Sequence, residues 1–352
     1  MIKLDIISGF LGAGKTTLIK KLLENSTNQE KVVIIENEFG EMGIDGSLLE
    51  QTGASVRELY SGCICCTLSG DFKKTITEMI HKFSPDRIII EPSGVGKLSE
   101  VLKACEGIVK KENIQINMLI TVVDVLKFQM YLTNFGEFFE DQIKNAKTIF
   151  LSRTEKISSE ALEKVTAEIS KLNEEASIVT TPWDQLTAEK ICSIAEGKRE
   201  ALLENLASEM NLSEAPSHEE GMKKNLSARG CQKGGKLRHY RKQEKHCGCS
   251  HGSHHDHSAD EIFEAWGVET PLTFSHTELE KILTALEDKE RFGLILRGKG
   301  IVQLEATQWA QFDYTLGEIQ ISTAAPEYTG RICIIGSQIN RNALEEVFLG
   351  AK

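Results

Sequence analysis

Three groups of residues in this chain have the types and the spacing for chemistry. The first is Gly9-Phe10-Leu11-Gly12-Ala13-Gly14-Lys15-Thr16, which fits G-x-x-x-x-G-K-[ST]. Glycines in such a loop let backbone N–H groups turn inward around phosphate oxygens. Lys15 brings a cation to the β- and γ-phosphates, and the Thr16 hydroxyl is placed to ligate Mg²⁺. The helix that follows adds the positive end of its dipole. Gly12, Ala13, Gly14, Lys15, Thr16 and Thr17 are therefore the phosphate-binding candidates. The second group is Arg87-Ile88-Ile89-Ile90-Glu91, followed by Pro92-Ser93-Gly94. An apolar strand that ends in a carboxylate puts Glu91 beside the Mg²⁺ shell, and Gly94 leaves its N–H open to the γ-phosphate. Lys15, Thr16 and Glu91 are the catalytic candidates. No side chain stands out as a base for water, so hydrolysis is expected to be slow and partner-stimulated.

The third group is Ser61-Gly62-Cys63-Ile64-Cys65-Cys66. Three thiolates suit Zn²⁺ with an open fourth position, or Cu(I). Structural zinc sites draw four ligands from paired motifs, so a single C-x-C-C points to an exchangeable site. Three small buried side chains, or a redox pair, are the competing readings. Upstream, Glu36 to Asp45 carries four carboxylates, and a loop in that place commonly senses the γ-phosphate. A further ligand-rich stretch, His246 to His257, holds five of the nine histidines with Cys247 and Cys249. It suits capture or relay of a divalent metal, with a solubilising spacer as the alternative. Cys105, Cys192 and Cys333 read as packing residues, Trp183, Trp266 and Trp309 as core or domain-contact residues, and His81 as a surface or capping residue.

The elements that must position these groups follow from hydrophobic periodicity. Strands are expected at Leu4–Ser8, Lys31–Glu36, Ser55–Tyr60, Arg87–Glu91, Met118–Asp124, Thr148–Leu151 and Ala176–Thr181. Helices are expected at Lys15–Asn25, Phe72–Phe83, Leu98–Val109, Phe135–Asn145, Ser158–Asn173 and Thr187–Glu196. This alternation predicts an α/β fold, a mostly parallel sheet flanked by helices. Composition changes after about residue 207. Met222 to Lys245 has nine Lys/Arg and one Glu, and 216–257 holds too few apolar residues to offset its ordering entropy. Beyond it, strands at Pro271–Ser275, Phe292–Arg297, Ile301–Ala306, Phe312–Leu316 and Arg331–Ile335 join helices at His276–Leu286 and Asn340–Phe348. These make a smaller α+β unit with an antiparallel sheet. The expected division is 1–207, a linker over 208–258, and 259–352.

With 352 residues, two such domains are the ordinary expectation. A net charge of −11 argues against a general nucleic-acid binder. No apolar run reaches the roughly 18 residues that span a membrane, and the first residues lack a signal-peptide pattern. Clustered thiols fit a reducing compartment, so the expected location is the cytoplasm.

GFLGAGKTT, ENEFGEMGIDG, SGCICC and IIIEPSG, in this order, resemble the CobW-like GTP-binding proteins, P-loop GTPases related to the nickel-insertion proteins HypB and UreG. Leu296–Ile301 and Arg331–Gly336 resemble landmarks of that family's C-terminal domain. The resemblance implies a GTPase that uses GTP and Mg²⁺, binds Zn²⁺ or in some members Co²⁺, and delivers it to a client metalloprotein or activates a corrinoid enzyme. It implies metal at Cys63, Cys65 and Cys66, with Glu36 and Glu41 as oxygen ligands. A homo-oligomer is compatible with this reading; a membrane partner is not expected. The family's guanine-reading N-K-x-D is replaced by Ser152-Arg153-Thr154-Glu155. Glu155 keeps the charge of the Asp, Arg153 takes the place of the Lys, and Ser152 loses the amide. A small-molecule kinase would instead need an arginine-bearing lid, which the sequence does not display. A passive metal buffer would make the phosphate loop redundant.

Overall fold

The computed structural model describes residues 1–23, 30–38, 55–60, 69–109, 113–197, 259–305 and 308–350. Seven of its strands form one sheet: β1 (Ile2–Gly9), β2 (Val32–Glu38), β3 (Ser55–Tyr60), β4 (Arg87–Glu91), β5 (Ile114–Asp124), β6 (Thr148–Ser152) and β7 (Ser177–Val179). The order is β3-β2-β4-β1-β5-β6-β7, and every pairing in it is parallel. The strands read as nearly continuous apolar runs because helices cover both faces. Successive residues then serve alternate cores. Ile6, Ile35, Ile88 and Ile90 enter one core, while Ile7, Ile34 and Ile89 enter the other.

The helices of this part are α1 (Lys15–Leu23), α2 (Ser69–Phe83), α3 (Leu98–Val109), α4 (Phe128–Lys144), α5 (Ser159–Leu172) and α6 (Ala188–Ala195). Their ends follow local chemistry. The side chains of Ser158 and Thr187 accept from the N–H groups of Ala161 and Lys190, which makes them N-caps rather than first helical residues. Helix α4 starts seven residues before the expected Phe135, at Phe128, and Phe135 lies at an internal kink with φ −136°. Pattern reading began the helix at the kink because the first turn carries no acidic or capping signal.

The second sheet holds β8 (Glu264–Thr270), β9 (Thr273–Phe274), β10 (Leu294–Leu304), β11 (Trp309–Thr315), β12 (Glu318–Thr323) and β13 (Gly330–Ser337). Its order is β12-β11-β10-β13-β8, antiparallel throughout, with the short β9 parallel to β10. Helices α7 (Ala259–Ile262), α8 (His276–Ala285), α9 (Lys289–Phe292) and α10 (Arg341–Leu349) accompany it. The two strands expected at 292–297 and 301–306 are one. Arg297-Gly298-Lys299-Gly300 reads as a break but continues the strand, because the glycines make room for neighbours. A Cβ on Gly300 would lie 2.3 Å from the Phe312 ring. Strands β8 and β12 are additional to the expected strands.

Met1–Leu202 and His257–Lys352 form one compact unit. Phe263 and Ala259, at the start of the C-terminal part, lie in the same apolar core as β1 and β4, together with Leu296, Cys333 and Ile335. Phe263 packs at ring-centroid distances of 5.2 Å from Phe135 and Phe138 and 6.0 Å from Phe10. The expected linker, with its histidine- and cysteine-rich stretch, lies outside the described residues.

Candidate functional site

Strand β1 is central, with β4 on one side and β5 on the other. Parallel sheets bind ligands outside the carboxyl ends of their strands, where the strand order reverses. The phosphate loop leaves β1 at that point. Its backbone is held from within: Ala13 N–H donates to Phe10 O at 3.2 Å, and Leu18 N–H donates to Gly14 O at 3.0 Å, starting α1. Gly12 has φ 69°, a conformation that side-chain-bearing residues rarely adopt. Lys15 is buried, its Nζ donating to Phe10 O at 3.4 Å and lying 4.0 Å from Glu91 Oε1.

Glu91 ends β4 where the sequence placed it. The Thr16 hydroxyl donates to both of its oxygens, at 3.0 and 3.2 Å. Two hard oxygen donors thus meet beside a cleft of about 360 Å³. That donor set fits Mg²⁺, which takes one or two protein oxygens and fills its octahedron with phosphates and water. Glu36 is buried and stands opposite Glu91 in the β2–β4 register, two residues before the end of β2. Glu41, Cys63, Cys65 and Cys66 lie outside the described residues. Among the described residues, no three His, Cys, Asp or Glu side chains converge as a metal cluster.

The cleft is lined by Gly12, Gly14, Lys15, Thr16, Thr17, Lys20, Glu91 and Arg153 from the first sheet's side. Ala13 is buried in the core beneath the loop, and Ala13, Gly94 and Glu155 are not among the lining residues. Gly94 instead backs the loop: a Cβ there would meet Leu11 N at 2.8 Å. Glu155 is exposed, in the short 3-10 turn after β6. Arg153 adopts a left-handed backbone, φ 60°, and turns its side chain back over the loop. One nitrogen donates to Gly12 O at 3.1 Å and to Asp124 Oδ2 at 2.9 Å, the other to Glu318 Oε2 at 2.9 Å. Burial raises Asp124 above the usual carboxylate range, with Arg153 opposing that rise. Burial also pushes Glu318 upward, but the charge of Arg153 and its hydrogen bond outweigh it and hold Glu318 low.

The remaining walls come from the second sheet, which sequence reading did not connect to the site. Arg297 of β10, Gln311, Asp313 and Thr315 of β11, and Glu318, Gln320 and Ser322 of β12 line the same cleft. They share one face because side chains on a strand alternate. Asp313 stands opposite Gln320, and Gln311 opposite Ser322. The intervening Phe312 and Tyr314 are buried in the other face. The signal was present as strict alternation in Gln-Phe-Asp-Tyr-Thr and Glu-Ile-Gln-Ile-Ser. Two arginines therefore reach the cleft, although no arginine-bearing lid is visible in the sequence. Trp183 is a second residue whose place was not foreseen. Its Nε1–H donates to Leu151 O at 2.9 Å, and a Cβ on Gly14 would lie 3.2 Å from its ring. Its position just past the carboxyl end of β7 was the available clue.

The "CobW/HypB/UreG, nucleotide-binding domain" family matches residues 3–180, and the "Cobalamin synthesis protein cobW C-terminal domain" family matches 263–352. Among curated relatives, the zinc chaperone CobW of Sinorhizobium sp is 34% identical over 197 residues, 48% of this chain and 55% of that protein. The zinc chaperone YeiR of Escherichia coli is 32% identical over 161 residues, 46% of this chain and 49% of that protein. The zinc-regulated GTPase metalloprotein activator 1 of Schizosaccharomyces pombe is 32% identical over 197 residues, 53% of this chain and 47% of that protein. This chain thus spans about half the length of the curated relatives it matches. A phosphate loop, a Thr16–Glu91 oxygen pair and a covering antiparallel sheet, matched by both models in order, place the chain in the CobW/HypB/UreG nucleotide-binding family, with the CobW C-terminal domain after it.

Proposed function

We propose that this protein hydrolyses GTP and couples the reaction to delivery of a transition metal, zinc in the first instance, to a client metalloprotein. The observation that carries the reading is the pair of carboxylates near the carboxyl ends of two neighbouring strands of the parallel sheet. Glu91 accepts from Thr16 at the phosphate loop, and Glu36 stands beside it in register. Strand β3, paired in parallel with β2, ends at Tyr60, three residues before Cys63. The thiols thus follow, by three residues of chain, a strand that is paired to the one carrying Glu36. The names of the relatives, zinc chaperones and a zinc-regulated GTPase metalloprotein activator, support zinc as the cargo.

In this reading Lys15 and the N–H groups from Gly12 to Thr17 hold the β- and γ-phosphates. Thr16 and Glu91 hold Mg²⁺, which neutralises charge that develops on the transferred phosphoryl group. Glu155 reads guanine, and Arg153 fixes the edge of the loop through Gly12 O. Cys63, Cys65 and Cys66 bind the cargo with Glu36 and Glu41, and the Glu36–Asp45 loop reports the γ-phosphate to them. The division into 1–207, 208–258 and 259–352 belongs to the same proposal, the middle segment capturing metal.

The test is competition of the reduced protein with a chromophoric chelator for Zn²⁺ and Co²⁺, under Mg²⁺ with GTP, GDP, ATP or no nucleotide. A Cys63/Cys65/Cys66 triple Ser variant that keeps the linker is measured alongside. The expected result is an affinity that depends on the thiols and shifts with GTP but not ATP. An affinity that ignores nucleotide and survives in the triple variant would sink the coupling and move the metal to the His-rich segment.

A further inference from the structure

The second sheet lays a polar face over the phosphate loop, and one residue of that face carries a charge that phosphate chemistry uses. Arg297 lines the cleft together with Lys15, Thr16 and Glu91, the residues at the phosphate and Mg²⁺ end. Two separate contacts fix which part of the loop it faces. In the β10–β11 register Arg297 is opposite Thr315, and the Thr315 methyl lies 2.6 Å from where a Cβ on Gly12 would be. Arg297 is also close enough for its charge to act on Tyr131, whose hydroxyl donates to Leu11 O at 3.2 Å. It therefore stands one strand away from the Leu11–Gly12 turn of the loop, within reach of a guanidinium on a three-carbon stem.

Both arginines of the cleft are already paired within its walls. Arg153, the other arginine of the cleft, makes three contacts of 2.9–3.1 Å to Gly12 O, Asp124 and Glu318. Arg297 contacts Asp313 at 3.5 Å and is 16% exposed, so an incoming phosphate would share the guanidinium with the partners it already has. An Arg fork matches phosphate oxygens bidentately, and an arginine supplied within the chain can stabilise the charge of phosphoryl transfer.

We propose that Arg297 is a catalytic residue delivered by the C-terminal sheet, contacting the terminal phosphates of the bound nucleoside triphosphate. The inference rests on the reading of the chain as a GTP hydrolase. It makes the nucleotide site a joint product of both sheets rather than of the phosphate loop alone. Glu91 and Thr16 would hold the Mg²⁺ that binds one side of the phosphate chain, and Arg297 meets the chain from the second sheet's wall. In hydrolysis water adds to the γ-phosphorus as the bond to the β–γ bridging oxygen breaks; the electron pair stays on the GDP oxygen and the water's protons end on the released inorganic phosphate. Arg297 takes no proton in that step and balances negative charge on the departing oxygens.

The experiment uses the full chain with Mg²⁺, comparing wild type with R297A and R297Q. Steady-state release of inorganic phosphate from GTP is measured, together with the affinities for GTP and for GDP. Both variants are expected to lose at least about tenfold in kcat, with GTP affinity falling more than GDP affinity. Added guanidinium ion at millimolar concentration is expected to restore part of the R297A rate, which a merely structural role would not allow. If R297A does not fold, R297Q keeps the stem packing and carries the comparison. Variants within twofold of wild type in rate and in both affinities would overturn the assignment, as would a loss that falls equally on GTP and GDP and resists guanidinium. A wild type that neither binds nor hydrolyses GTP would instead remove the hydrolase reading, and this assignment with it.

Discussion

Asp5 lies in β1 with no solvent exposure, yet it is a carboxylic acid. Burial raises its pKa to about 6, against the opposing charge of Arg87 and hydrogen bonds from Asn117 and Met118. A carboxyl whose pKa is higher in the folded than in the unfolded chain stabilises the fold most when protonated. Its contribution is complete below about pH 4 and is lost as pH rises through about 6. Replacing it by Asn should therefore change the pH dependence of stability, not only its level. The difference in unfolding free energy between wild type and Asp5→Asn is expected to move by up to about 3 kcal/mol between pH 4 and pH 7, in favour of the variant at the higher pH. Urea titrations at several pH values read it out, and a constant difference across that range would refute it. At this scale the phosphate loop was legible because its chemistry is contained in eight consecutive residues. The role of Arg153 was legible only in part. The motif puts it in the place of the family's Lys, but the contacts its side chain makes are not written in that motif. Its partners at Gly12, Asp124 and Glu318 are 141, 29 and 165 residues away, and no local pattern announces them.

The strands and helices of the parallel sheet were all legible in the sequence, β3, β4 and α3 with the boundaries expected, while α4 and β5 start seven and four residues earlier. Burial on both faces writes an unbroken apolar run, and capping residues mark the helix ends. The antiparallel sheet was harder to read, since its glycines look like turns. Gly300 is the instructive case, because it occupies a strand interior where glycine is ordinarily weak. Space, not backbone freedom, selects it: a Cβ would crowd both the Phe312 ring and Arg331 O, the latter at 2.8 Å. Gly300→Ala is expected to cost about 1–3 kcal/mol, the range for overpacking a well-filled site. It should also disturb β11, and with it the polar face over the cleft. The midpoint of chemical unfolding and the near-UV dichroism of the aromatic core report both effects. An unchanged midpoint would mean that Phe312 can swing aside and that the strand tolerates a side chain there. The metal cluster belongs to this scale too, and what the sequence says of Cys63, Cys65 and Cys66 stands as a proposal.

For the whole molecule, the fact that matters most is that the second sheet does not stand apart from the first. Phe263 is buried among Phe10, Phe135 and Phe138, so the core beneath the phosphate loop is completed by a residue from beyond the expected linker. Composition suggested a boundary there, and the break in composition is real, but it says nothing about which core the next residues join. Phe263→Ala should cost about 3–5 kcal/mol, the usual range for emptying a buried aromatic site. Since Phe10 is part of the loop, nucleotide affinity should weaken at the same time. Thermal unfolding with and without Mg²⁺-GTP separates the two effects. A loss under about 1 kcal/mol would show that Phe263 is peripheral to that core.

The contact between Glu318 and Arg153 also has a consequence for synthesis. The phosphate loop leaves the ribosome about 300 residues before the strand that holds its far wall. At roughly 5–20 residues per second, that is an interval on the order of 15–60 s. During that time a nascent chain carries a phosphate loop without Arg297 or Glu318 beside it. The complete cleft, with both arginines in place, exists only once β10 to β12 have been made.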